Sequence, residues 1–172
     1  MSFHRSLISH ISVAALAALV AFPAFSQNTL KFAGGAGEVT LPSHYVQVED
    51  KDASLVAQSK PEGNVKLYFD LHKLDAAVKV VNPGEAVVRE QAEKKGKQLK
   101  NLAGKVVFFD PSQPVKVGEE VILNFHWQVG FGKTMIVMSA RVPQAAREAP
   151  DVKRFLSGDI EFIVSSLRRI GG

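Results

Sequence analysis

The sequence predicts an α+β fold in which helices pack on a mostly antiparallel sheet. Residues 119–142 read as two long strands joined by a glycine-bearing turn. One helical pattern precedes them at 83–100, and a second follows from Asp151 onward. The elements therefore run in the order strands, helix, strands, helix. Because each sheet face must be buried against another layer, this order predicts an α/β/α sandwich.

Residues 119–142 carry the clearest strand pattern. In the first strand apolar and mostly polar positions alternate with a period of two, which is typical of a strand with one buried face. Gly130 and Gly132 would supply positive φ in the turn. The second strand is apolar on both faces, so it is predicted in the middle of the sheet with cover on both sides. The apolar positions of the first strand are Val121, Leu123, Phe125, Trp127 and Val129.

Shorter apolar segments predict the remaining strands. Residues 29–33 and 38–41 form one pair, 54–59 and 65–71 form a second hairpin, 44–49 is extended, and 105–110 is a further strand.

Asn82 is a helix N-cap, because it precedes Pro83 and has Glu85 three residues later. The predicted helix runs from Pro83 to about residue 100. Its inner stripe is Val88, Ala92, Gly96 and Leu99, with Gly96 explained by close packing on the sheet.

The last helix is predicted to begin at Asp151, with apolar residues at three- and four-residue spacing as far as Ile170. Gly158 is a candidate kink or break in it. Arg168 and Arg169 would lie at its C-terminal end, where positive charge is favoured.

Residues 1–26 have the layout of a secretory signal peptide. His4 and Arg5 lie in a polar start, 13–22 is a short apolar run, and Ala24 and Ser26 are small residues before a cut ahead of Gln27. A membrane anchor is the alternative, but the apolar run is short for a bilayer span. We therefore expect 27–172 to be a single exported α+β domain in the periplasm, release from the cell being the open alternative.

Composition narrows the class of protein further. The sequence has no cysteine, which excludes a cysteine-anchored lipoprotein, a disulfide and a cysteine nucleophile. Removal of 1–26 takes only Arg5 from 21 Lys and Arg, so the remaining chain carries 20 basic and 17 acidic residues, a net charge of +3. That charge and the predicted export make nucleic acid an unexpected partner.

Catalytic and cofactor motifs are weak. Gly132, Lys133 and Thr134 resemble the end of a phosphate-binding loop, but Trp127 stands where its first glycine belongs and a strand follows instead of a helix. His44, His72 and His126 lack ligand spacing within one element, which leaves open whether they converge in space. We expect no cofactor, no metal and no catalytic residues, although acid and base groups from distant positions are not excluded by a sequence.

Four side chains are candidate contact residues: Trp127, Phe131, Tyr68 and His126. Trp127 lies on the apolar strand face, so a core position is its alternative. Phe131 lies at the turn, where it is either exposed or folded back as a lid.

The layout resembles the PsbP/DcrB-like superfamily of small α/β/α sandwich proteins. Residues 39–42 with the extended segment after them look like its opening hairpin, and the helix at Pro83, the strands to Val142 and residues 163–167 look like its later elements. The resemblance implies an exported, non-enzymatic accessory protein with no shared catalytic residues to transfer. Bacterial DcrB-type members are often lipoproteins, and the missing cysteine departs from that pattern.

These observations predict a periplasmic accessory or binding protein that acts through contact with an unknown protein partner. An immunity-type inhibitor is one version of this function. We expect no stable membrane anchor after signal cleavage. The alternative is a small-molecule or lipid-binding protein, or an undetected hydrolase, with an apolar pocket between sheet and helix near Trp127.

Overall fold

The computed structural model describes residues 27–32, 35–49, 51, 53–60, 63–74, 81–111 and 114–170. The predicted signal peptide lies outside these residues. None of the helices within the described ranges is long and apolar enough to cross a membrane.

The strands are β1 Gln27–Lys31, β2 Gly37–Pro42, β3 Tyr45–Val48, β4 Leu55–Ser59, β5 Lys66–Lys73, β6 Leu99–Leu102, β7 Lys105–Pro111, β8 Val115–Val117, β9 Glu120–Phe131, β10 Thr134–Pro143 and β11 Arg168–Arg169. The helices are α1 Pro83–Lys94, α2 Pro150–Arg154 and α3 Ile160–Ser166, with a 3₁₀ turn at Gln144–Ala146 and a π-turn at Phe155–Asp159.

A large antiparallel sheet forms the middle layer. Its strand order is β3-β4-β5-β10-β9-β7-β6, and β8 pairs with the end of β9 beyond β7. A small sheet, β1-β2-β11, is separate from it. The architecture confirms the predicted mostly antiparallel α+β fold. Strand β10 lies in the middle of the sheet, as its two apolar faces predicted.

The predicted hairpin is β9 and β10, which pair Phe131 with Thr134 at the turn and Ile122 with Pro143 at the far end. Gly132 has the expected positive φ of 50°, whereas Gly130 does not. Gly130 is needed for a close approach instead. A Cβ on it would lie 2.1 Å from the carbonyl carbon of Gly84, so the backbone of α1 rests directly on β9.

The main core lies on one face of the large sheet, which we call the inner face. Trp127, Val129 and Met138 point from it toward Phe155 and Ile163 of the C-terminal helical segment. Residues of the small sheet complete this core, including Val39 and Leu41. The opposite, outer face carries the smaller cluster beneath α1, formed by Val88, Ala92 and Phe108.

Helix α1 begins as predicted but ends earlier. The Asn82 side chain accepts a hydrogen bond from the Glu85 backbone N–H at 3.2 Å. The helix stops at Lys94 because Gly96, at φ 60°, begins a Schellman motif in which the Lys97 N–H donates to the Ala92 carbonyl at 2.9 Å. Gly96 is exposed, so the packing reason predicted for it is wrong, and Leu99 belongs to β6.

The C-terminal segment is likewise shorter than predicted as a helix. A π-turn containing Gly158 interrupts it, and α3 ends at Ser166. Arg168 and Arg169 do not cap a helix; they form β11 beside β2, where Arg168 pairs with the Glu38 carboxylate at 3.1 Å. The electrostatic partner of Arg168 is therefore a strand carboxylate, not a helix dipole.

Candidate functional site

The outer face of the large sheet is covered by a helix along only part of its length. Met135 of β10 packs with Val88 and Ala92 of α1. Farther along the same strand, Ser139 and Arg141 line an open depression of about 570 Å³. The two-sided cover predicted for β10 is thus present at one end and missing at the other. We call the depression the outer groove; it is lined by Gln58, Gly63, Asn64, Lys66, Tyr68, Val115, Val117, Ile122, Asn124, His126, Ser139, Arg141 and Pro143.

On one side of the outer groove, two cationic side chains lie over the same aromatic ring. Lys66 and Arg141 are cross-strand partners on β5 and β10. The Lys66 Nζ lies 5.3 Å and the Arg141 Cζ 4.2 Å from the centroid of the Tyr68 ring. These distances are within the range of cation–π attraction. Tyr68 is only 7% exposed, so a ligand would meet the two cations first and the ring beneath them.

The floor of the groove holds a histidine and a serine from paired strands. The His126 Nδ1 lies 2.8 Å from the Ser139 Oγ. Burial lowers the pKa of His126, and Lys95 and Arg141 lower it further, while Asp110 acts in the opposite direction. The pKa of the imidazole thus lies below its ordinary value, and Arg141 supplies the positive charge next to it.

The other side of the groove is aliphatic and exposed. Val115 and Val117 of β8 are 47% and 60% exposed, and Ile122 of β9 pairs with Val115. All three residues of β8 are exposed, which is unusual for a strand with two valines. Exposed apolar side chains grouped beside polar ones are typical of an interaction surface.

A partly buried carboxylate fixes the shape of the groove near Asn64. Asp151, at the start of α2, accepts hydrogen bonds from the Ser59 hydroxyl at 2.8 Å and from the Asn64 backbone N–H at 2.7 Å. Burial raises the pKa of Asp151, but the hydrogen bonds from Ser59 and Asn64 outweigh it, so that the pKa is lowered overall. The ionised carboxylate thus ties the β4–β5 connection to α2.

The structure separates the four predicted contact residues into two groups. Tyr68 and His126 come together in the outer groove. Trp127 points the opposite way, stacked on Phe109 at 5.0 Å between ring centroids and 4% exposed, which is the core position that the sequence left as its alternative. Phe131 is half-buried and packs against the main core, so it is neither an exposed tip nor a lid.

The three histidines occupy different environments. The His44 Nε2 lies 2.7 Å from the Asp159 carboxylate, which also accepts the Tyr45 hydroxyl at 3.2 Å. Burial, followed by the charge of Asp159, raises the pKa of Tyr45 far above its usual range. This cluster ties the π-turn to β3. His72 is exposed on β5, and the described residues contain no group of three or more His, Asp or Glu that could hold a metal ion.

Sequence reasoning missed Arg141, Lys66 and the valines of β8. The alternation of β5 and β10 did place Lys66 with Tyr68, and Ser139 with Arg141, on shared strand faces. The missing information was that β5 and β10 are neighbours, a pairing that no local pattern specifies.

Comparison with known proteins supports the fold. No protein-family model matches the sequence, and no curated protein sequence matches it. A crystal structure from Bacteroides thetaiotaomicron VPI-5482 is similar with a TM-score of 0.63 and 14% identity, covering 83% of this chain. The chain spans about half of that protein, 48% of its length.

A second similar structure is the solution structure of cyanobacterial PsbP (CyanoP) from Synechocystis sp. PCC 6803. Its TM-score is 0.53 at 12% identity, and the match covers 91% of this chain and 100% of the CyanoP chain. The molecule is therefore an α+β sandwich with one half-covered sheet face. Its fold is PsbP-like, as the sequence layout predicted.

Proposed function

We propose that this chain is an exported, non-enzymatic accessory protein that binds a partner protein through the outer groove. The observation that carries the proposal is the incomplete cover of the outer sheet face. Helix α1 shields one end, while the other presents exposed Val115 and Val117 beside Arg141. Interfaces combine an apolar patch with arginine and aromatic residues in this way.

The fold supports an accessory role without specifying a partner. The PsbP-like superfamily consists mostly of non-enzymatic accessory proteins, and the similarity to CyanoP is one of fold alone at 12% identity. The signal-peptide pattern in 1–26 supports export. N-terminal sequencing of the protein from producing cells tests this part: a chain beginning at Gln27 supports export, and a chain that keeps residues 1–26 in the cytoplasm contradicts it.

The partner is tested by affinity purification from the compartment that holds the chain. Val117→Asp places a charge on the exposed apolar rim without disturbing the core, and Phe162→Asp makes the same kind of change on α3, whose Phe162 is 37% exposed. We expect a partner that co-purifies with the unchanged chain and with Phe162→Asp but is lost with Val117→Asp. Equal recovery with both variants would contradict the proposed surface.

A second candidate function, hydrolysis, has one observation in its favour. Ser139 and His126 form a hydroxyl–imidazole pair inside the groove, and the lowered pKa of His126 suits a general base. Two features disfavour it. Ser139 lies within the β-ladder, where backbone N–H groups are already paired, and Asp110, which faces His126, forms an ion pair with Lys95. Labelling of Ser139 by a fluorophosphonate, lost in Ser139→Ala, would establish an activated serine nucleophile and favour hydrolysis; no labelling would count against this nucleophile.

The pocket that a small-molecule function would use, between the sheet and the helical segment, is smaller than the outer groove. Leu123, Phe125 and Val142 of the sheet and Val152 and Leu156 of the helical segment enclose about 220 Å³. Ligand sites for drug-sized molecules are usually above about 300 Å³. We therefore favour protein contact, and a bound small molecule in a native mass spectrum of the purified chain would reverse that preference.

A further inference from the structure

The chemistry of the outer groove also indicates what kind of segment it binds. We infer that the groove recognises an extended, acidic stretch of polypeptide in which carboxylate side chains accompany aliphatic ones. This inference rests on the proposed function and adds the chemical class of the partner. It depends on charge, on the apolar rim and on the dimensions of the sheet.

The charge of the lining favours an anionic partner. Arg141, Lys66 and His126 are its titratable groups besides Tyr68, and none of the described lining residues is acidic. The guanidinium carbon of Arg141 lies 4.2 Å from the centre of the Tyr68 ring and the residue is exposed, which leaves its N–H groups able to hold a carboxylate in a bidentate pair. Lys66 is its cross-strand neighbour, so the positive charge is concentrated on one side of the groove.

The aliphatic side requires a different group on the same partner. Val115 and Val117 lie on β8, which pairs with β9, and β9 pairs with β10, where Arg141 lies. Val115 pairs with Ile122 and Val117 with Glu120, two and four residues along β9 from Asn124, the partner of Arg141. Two strand spacings combined with these offsets separate the valines from the arginine by about 12 and 17 Å. An extended peptide covers such distances in about four to five residues, and side chains four residues apart lie on the same face of it, so an aliphatic side chain four residues from a carboxylate fits both sides at once.

The strand between them can orient the peptide. Asn124 and His126 of β9 line the groove between the cationic and aliphatic sides. Amide and imidazole side chains can accept or donate hydrogen bonds to a peptide backbone. A lipid surface or a sulfated polysaccharide would use the cations but would not need an aliphatic row at this distance.

The test is an NMR titration of the purified, isotope-labelled chain in the form that the producing cell makes. Binding is measured from changes in the backbone amide chemical shifts. The main probe is a blocked hexapeptide that contains Glu and Val four residues apart. Its controls are the same peptide with Gln for Glu, the same peptide with Ser for Val, and vesicles with anionic lipid. We expect saturable shifts at groove residues with the first probe and at least tenfold weaker binding by both control peptides.

Charge reversal locates the effect. Arg141→Glu with Lys66→Glu should weaken binding of the acidic peptide at least tenfold, and the milder Arg141→Gln serves if the double variant does not fold. The matched control is Lys97→Glu with Lys133→Glu, two exposed lysines outside the groove, which should change binding less than twofold. Equal binding by the Gln peptide, unchanged binding after charge reversal, or shifts with vesicles alone would overturn the inference.

Failure of this inference differs from failure of the proposed function. If Val117→Asp abolishes partner recovery while Arg141→Glu does not, the groove binds a protein of another chemistry and the acidic-segment inference is wrong. If neither change affects recovery, the proposed surface itself is wrong.

Discussion

Arg141 and Tyr68 are diagonal neighbours on paired strands, with the guanidinium carbon 4.2 Å from the centre of the tyrosine ring. Tyr68 is 7% exposed, whereas Arg141 is exposed. The contact therefore holds a charged side chain above the outer face of the sheet.

Replacing Arg141 by Lys keeps the charge but loses the contact of the guanidinium with the Tyr68 ring. We expect the free energy of unfolding to fall by about 0.5–1 kcal/mol, as for an exposed cation–π contact, and the acidic peptide to bind several-fold more weakly. Urea unfolding and the peptide titration measure the two effects. Lys97→Arg, at an exposed position away from the groove, is the control. Unchanged stability and unchanged affinity together would show that the contact has no energetic role.

Gly84 and Gly130 should tolerate no side chain. A Cβ on Gly84 would lie 2.2 Å from the Thr134 carbonyl oxygen, so Gly84→Ala must push α1 away from the hairpin. We expect a loss of about 3 kcal/mol or more, or failure to fold, by chemical denaturation. Gly158→Ala is the matched control, because a Cβ there meets nothing within 4 Å. A fully stable Gly84→Ala protein would show that α1 does not rest on the hairpin as described.

Asp151→Ala removes the acceptor for the Ser59 hydroxyl and the Asn64 backbone N–H. Ser59 is 2% exposed, so its hydroxyl loses a partner where water is excluded, and we expect a cost of about 2–4 kcal/mol at pH 7. Glu161→Ala, an exposed helix carboxylate, should change little. A loss below about 0.5 kcal/mol would contradict a structural role for this carboxylate.

The pH dependence of Asp151 gives a second readout. Its pKa is lower in the folded than in the unfolded chain, so its stabilisation is complete above the unfolded pKa and is lost as pH falls through the folded pKa. The stability difference between the unchanged chain and Asp151→Ala should therefore shrink under acid. A difference that stays constant down to the acid limit would contradict the lowered pKa.

The pH dependence of stability expected from His126 has the same sign as that of Asp151 but lies at higher pH, near the ordinary histidine pKa. Its pKa is lowered by burial, so the unfolded chain takes up a proton first and stability falls as pH drops below the ordinary histidine pKa. His126→Gln should flatten this part of the stability profile. The charged groups around the ring are Asp110 on β7, Lys95 after α1 and Arg141 on β10. An NMR titration of the imidazole with a midpoint above the ordinary value would contradict the assignment.

Local patterns predicted much of the fold because its main ladder is local. The alternation in β9 and β10 identified the hairpin, its buried face and the central place of β10, and Asn82 identified the start of α1. The ends of helices were harder. Gly96 was interpreted as a packing glycine, although its use is the left-handed conformation that stops α1.

Pairings between distant segments were outside the reach of sequence periodicity. The helical spacing of Leu167 and Ile170 continued past Ser166, but the hydrogen bonds of Arg168 and Arg169 go to β2. The groove escaped prediction for the same reason, because Tyr68 and Arg141 belong to strands that become neighbours only in the folded sheet. Chain-local reasoning placed each on the correct strand face without placing the two together.

The most direct measurement for the central claim is photo-crosslinking in producing cells, with a photoreactive residue at position 117 on the groove rim or at position 162 on α3. Both sites carry exposed apolar side chains, so reactivity and access are matched. We expect one discrete crosslinked protein from position 117 that is weak or absent from position 162. Discrete adducts from position 162 with none from position 117 would contradict the assignment of the outer groove as the contact surface.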